Sequence, residues 1–167
     1  MLDTMTRYLE AVTSRKVSWN LRKILYPLVD NLSSGPLNSA GLVITAGGST
    51  TASTGASNFY ALAKGVLVEI PSGTVLPALT GVTTPAGGWN VAVFYVNSAG
   101  VVTMSPGNPA ATLGGVTFSQ PPSNCALVGM LIITYASAFT GGTTPLDTAT
   151  TVYINNLCSV DPTALTG

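Results

Sequence analysis

From residue 70 to residue 146 the chain carries no charged side chain. A run this neutral must either enter a membrane or fold into something whose surface needs no charge. Pro71, Pro77, Pro85, Gly87, Gly88 and Pro106 interrupt it long before about 20 consecutive apolar residues accumulate, so no transmembrane helix is expected. What remains is a set of short strands joined by turns, with a surface of Thr, Ser, Asn, Gly and Ala. The deficit extends to the whole chain. Charged residues make up 7% of it, with no net charge, where an ordinary soluble domain carries roughly 25%. Such a protein gains little solubility from charge repulsion. Its surface is also easily desolvated, because few charges resist removal from water. The composition therefore favours a protein packed against other subunits, although extracellular adhesins and fibres share it. With 46% hydrophobic residues over 167 positions, the chain has material for one folded domain and an extension.

Charge also divides the chain. Residues 1–32 hold Arg7, Arg15, Lys16, Arg22 and Lys23 together with Asp3, Glu10 and Asp30, and the rest carries only Lys64, Glu69, Asp147 and Asp161. The first segment reads as a helical arm. Leu2, Met5, Leu9 and Val12 recur at three- and four-residue spacing, and Leu21, Ile24, Leu25 and Leu28 form a second stripe. Asp3 or Thr4 suits the start of the first helix and Ser18 the start of a second, while Pro27 should kink or end it. An amphipathic stripe must be buried against something, so Leu9, Val12, Trp19, Leu21, Leu25 and Leu28 are the candidate partner-binding positions. Asp3 and Glu10 break the apolar stretch that a signal peptide needs, so none is expected. Residues 33–40, with Gly35-Pro36, read as a linker.

Residues 41–167 read as all-β. Strands are expected at Leu42–Ala46, Asn58–Ala63, Val66–Ile70, Thr74–Leu79, Trp89–Val96, Val101–Met104, Gly115–Phe118, Ala126–Thr134 and Thr150–Ile154, with a small-residue loop over 47–57. Lys64-Gly65 suits a tight hairpin turn, and Pro77 restricts its strand to an edge or irregular position. Trp89, Val91, Val93 and Tyr95 alternate with Ala92, Phe94 and Val96, so both faces of that strand are apolar and it should be central. The fold class is mainly β, a β-sandwich or jelly-roll-like body behind a helical arm.

The chemistry is notable for missing parts. No histidine is present, which removes Ser-His-Asp and Cys-His catalysis and most transition-metal sites. Glu69, Asp147 and Asp161 are isolated in sequence, and no phosphate loop, dinucleotide fingerprint or calcium loop occurs. No catalytic, cofactor or metal site is expected, and an enzyme is improbable. Asp147 reads as a turn residue whose carboxylate accepts backbone N–H bonds, with cation binding second. Cys125 and Cys158 read as reduced, buried thiols, with a disulfide between them the lesser option. Trp89, Tyr95, Tyr135 and Tyr153 offer a sugar-stacking platform, but strand aromatics are more often core or subunit interface; Trp89 reads as core, and the tyrosines are open between the two. The arm's basic residues are offset by its acids, so direct nucleic-acid binding is not expected.

The blocks ALAKGVLVEIPSGTVLPAL at 61–79, WNVAVFYVNSAGVVTMSPG at 89–107, AATLGGVTF at 110–118, ALVGMLIIT at 126–134 and GGTTPLD at 141–147 resemble, in that order, a recurrent type of tailed-bacteriophage virion protein. The resemblance covers a little over half the chain and omits the arm. It implies a structural role in the virion, with synthesis in the host cytoplasm and assembly as a homo-oligomer, often a trimer. The implied partners are other virion proteins: the major capsid protein, or a tail or portal component. No catalytic residue carries over. Capsid decoration (cement) is the first expectation. A tail or head fibre subunit that recognises host surface glycans is the alternative. A secreted adhesin or surface-layer domain and a fibre-type hydrolase rank below both.

Overall fold

A computed structural model describes residues 34–119 and 121–154. The expected arm, residues 1–32, and with it Leu9, Val12, Trp19, Leu21, Leu25 and Leu28, lies outside the described residues. The described chain is mainly β. Its strands are β1 (Gly35–Pro36), β2 (Val43–Ile44), β3 (Ala52–Ser53), β4 (Phe59–Ala63), β5 (Val66–Ile70), β6 (Thr83–Thr84), β7 (Trp89–Val96), β8 (Val102–Pro106), β9 (Ala126–Thr134), β10 (Phe139–Thr140) and β11 (Thr150–Ile154), with a 3-10 turn at Leu113–Gly115. Every pairing is antiparallel. The sheets run β11-β9-β7-β8, β1-β4-β5, β10-β6 and β2-β3.

The alternation of β7 dictates what lies on its two sides. Ala92, Phe94 and Val96 enter the main hydrophobic cluster, which they share with Ala126, Val128, Leu131 and Ile133 of β9. Phe59, Ala61 and Ala63 of β4 and Val68 and Ile70 of β5 complete that cluster. Val91, Val93 and Tyr95 point the other way, into a second cluster with Leu127 and Met130. The stretch after β8 covers that second face with Ala110, Leu113, Val116 and Phe118. Backbone bonds pin the cover in place: Gly107 N–H to Val91 O (2.7 Å), and Trp89 and Ala110 exchanging N–H···O bonds of 2.8 and 3.0 Å. The expectation of a strand buried on both faces is met in full.

Strand β9 reaches the same result by a different route. Val93 pairs with Met130 and Phe94 with Gly129, but Tyr95 pairs with Leu127. Val128 is therefore an extra residue, a β-bulge, and the side-chain alternation shifts by one across it. Ala126 and Val128 before the bulge, and Leu131 and Ile133 after it, all reach the main cluster.

The Lys64-Gly65 turn forms as expected, with φ of 54° and 73°. Two successive positive φ values give the turn whose twist matches an antiparallel hairpin.

Several expectations are corrected. Residues 34–40 are part of the body and not a linker. Gly35 and Pro36 pair with Leu62 and Ala61, and Ala40 is fully buried. Asn38 extends this edge by imitating a peptide group: Oδ1 accepts Tyr60 N–H (2.6 Å) and Nδ2 donates to Asn58 O (2.7 Å). Thr74–Leu79 is not a strand. Val75 bridges Ser53 alone, Leu76 N–H bonds Ala52 O (2.9 Å), and Pro77 supplies no N–H to continue the ladder. Gly115–Phe118 is not a strand: Gly115 ends the 3-10 turn, and Thr117 makes a single bridge to Asn108. The first body strand shrinks to Val43–Ile44, and its partner β3 lies inside the expected loop 47–57.

Among the described residues no helix is long and apolar enough to cross a membrane.

Candidate functional site

Of the acidic positions, Asp147 performs the structural task expected of it. Its Oδ2 accepts the Gly48 N–H (2.7 Å), and Leu146 N–H donates to Ser49 O (2.9 Å). Together they tie the 141–147 turn to the loop at 47–49. Asp147 has a side effect on Tyr153. Burial first, and the Asp147 charge second, hold the Tyr153 hydroxyl above the usual tyrosine range. Glu69 serves a different neighbourhood, accepting bonds on Oε1 from Asn58 Nδ2 and the Tyr60 hydroxyl. Glu69 and Asp147 thus share no partner, and Asp161 lies outside the described residues. No group of three or more His, Cys, Asp or Glu able to hold a metal ion occurs among the described residues.

The four aromatic candidates are not one platform. Tyr95 is buried in the second cluster and Trp89 packs against that cluster from the other end of β7, whereas Tyr135 and Tyr153 flank the main one. Cys125 is a free thiol, half-buried where it was expected to be buried, and desolvation pushes its pKa up. Cys158 lies outside the described residues.

The feature that sequence reasoning did not single out is the outer face of the β1-β4-β5 sheet. Its inner face fills the main cluster with Phe59, Ala61, Ala63, Val68 and Ile70. Alternation sends Tyr60 and Leu62 of β4, and Leu67 and Glu69 of β5, to the opposite face. Leu37, whose N–H donates to Tyr60 O (2.9 Å), continues that face beyond β1. Tyr60, Leu37 and Leu67 are exposed at 37%, 55% and 63%. Gly35 stands opposite Leu62, and nothing lies within 4 Å of where its side chain would begin. The result is an apolar patch, with Lys64 at one end in the turn and Glu69 at the other. The four-stranded sheet buries both faces of β7. The three-stranded sheet has only one face covered among the described residues. The signal was present in FYALA and VLVEI, which are apolar at both alternating phases. Reading it required knowing that only one phase faces the core.

Comparison with protein-family models, curated proteins and solved structures found no match to the chain.

Proposed function

We propose that the chain is a non-enzymatic structural subunit of a phage virion, working by burial of neutral surface against neighbouring subunits. The observation that carries this reading is the apolar sheet face left uncovered among the described residues, on a body almost without charge. Desolvating such a face costs little, and an exposed contiguous apolar patch is a mark of an interaction surface. We read the body as a β-sandwich, with the β11-β9-β7-β8 and β1-β4-β5 sheets as its layers. Support also comes from where the virion-like blocks fall. They make up the β4–β5 hairpin, the β7–β8 hairpin, the cover over the second cluster, β9, and the turn that Asp147 anchors.

Within a virion, capsid decoration is the role this surface suits best. Many weak contacts over a lattice would resist the outward pressure of packaged DNA. A standard interface gives large gross stabilisation at about 25 cal/mol per Å2, of which ordering costs remove much. The separation of the four aromatic candidates into two clusters gives the glycan-binding fibre alternative no support. The arm positions Leu9, Val12, Trp19, Leu21, Leu25 and Leu28 are assigned to docking on the capsid or another virion protein. Deleting residues 1–32 should abolish attachment to the parent particle while the body stays folded by circular dichroism. Unchanged occupancy on the particle would refute the docking role.

A further inference from the structure

We propose that the outer face of the β1-β4-β5 sheet pairs with the same face of a second copy of this chain about a two-fold axis. The argument needs only the sheet, and stands whether or not the protein belongs to a virion.

Four residues make the patch apolar: Leu37, Tyr60, Leu62 and Leu67. The choice of occupant comes from charge. The described body carries three charged side chains, Lys64, Glu69 and Asp147. Two of them, of opposite sign, lie on this one sheet. Lys64 sits in the turn that joins β4 to β5, and Glu69 lies on β5, three extended steps (roughly 10 Å) beyond Val66. Neither has an ion-pair partner among the described residues. Glu69 is also held in place, since Asn58 and Tyr60 both donate to its Oε1, which leaves Oε2 free to accept from outside. A two-fold axis near the Leu62–Leu67 pair superimposes the patch on itself with the ends exchanged. Lys64 of each copy then meets Glu69 of the other, and the apolar residues meet between them. An isologous contact needs this self-complementarity. A partner of uniform charge would be attracted at one end of the patch and repelled at the other.

The test uses full-length protein in analytical ultracentrifugation across a concentration series. The wild type should dimerise. Lys64→Glu alone and Glu69→Lys alone each turn two attractive pairs into two repulsive ones, so each should weaken self-association by about tenfold. Mixing the two variants restores both attractive pairs, and a heterodimer of near wild-type affinity should form. Leu67→Lys should give a monomer with an unchanged circular dichroism spectrum, because Leu67 is 63% exposed and contributes little to its own fold. A monomer at every wild-type concentration would overturn the proposal, whether the face is then covered by another protein or left open. An oligomer that neither charge reversal nor Leu67→Lys disturbs would overturn it equally. So would single variants that weaken but fail to recover on mixing.

Discussion

Asn90 shows how tightly a single polar side chain can be specified inside this body. It is fully buried on the core side of β7. Nδ2 donates to Thr83 O (2.8 Å) and Oδ1 accepts the Val91 N–H (2.7 Å), so the side chain joins β7 to β6. Asn90→Asp keeps the shape and removes the donor unless the carboxyl is protonated. Burial disfavours the charged form, which raises the folded-state pKa above its unfolded value of about 3.9. The protonated acid can still donate to Thr83. Stability should therefore approach wild type below about pH 4 and fall as pH rises, with a loss of about 3 kcal/mol at pH 7. Urea unfolding of variant and wild type at the two pH values checks this; an equal loss at both would show that charge burial is not the cause. At this scale the sequence was partly legible. Asp147 was read correctly because a short acid in a Gly- and Thr-rich turn has a local use for its oxygens. Asn90 was not, because its partner Thr83 lies on another element and nothing in the residue order points to it.

At the scale of elements, legibility followed the strength of alternation. Trp89–Val96 and Ala126–Thr134 were read with the bounds they have, since both are long and apolar. The hairpin at Lys64-Gly65 was legible because its turn chemistry is local. The two-residue strands β1, β2, β3, β6 and β10 were mostly invisible. A pair of residues has no period, and each such strand exists only because a distant segment lies beside it. Close backbone packing is equally silent in sequence. At Gly141 a side-chain carbon would lie 1.9 Å from Leu79 O, while the Gly141 N–H donates to Val82 O (2.8 Å). The glycine is there because two backbones touch. Gly141→Ala must push them apart and should destabilise the protein by about 3 kcal/mol, read as a lowered melting temperature. Gly47→Ala is the control: nothing lies within 4 Å of the added carbon, so it should unfold close to wild type.

For the molecule as a whole, sheet order sets which parts yield first. β7 has hydrogen-bonded neighbours on both edges and hydrophobic clusters on both faces. β9 pairs with β7 and β11 in the same way. β1 and β5 end their sheet. Amide exchange should be slowest across β7 and β9 and much faster along β1 and β5, because opening β7 requires opening both clusters. Uniform protection across all of these strands would mean that the body opens only as one unit. Whole-molecule organisation was half legible: the mainly β body could be read, but which face is left open among the described residues depends on where the cover over the second cluster comes from. That cover is a Pro- and Gly-rich stretch whose pattern resembles any surface loop.

The bulge at Val128 makes β9 a strand with two phases, joined in the middle like a printed line shifted by one character. Residues on either side are assigned to faces by counting from opposite ends. A hydrophobic replacement anywhere in Ala126–Thr134 leaves that count intact. Removal of one residue beyond the bulge, between Met130 and Ile133, would not: it would turn the end of the strand that follows over, sending its core-facing side chains into the cover and its cover-facing ones into the core. Over this stretch the fold is stricter about the number of residues than about their identity. Insertions and deletions, which the surrounding loops can absorb, should be absent from β9 outside the bulge at Val128 in any protein that shares this body.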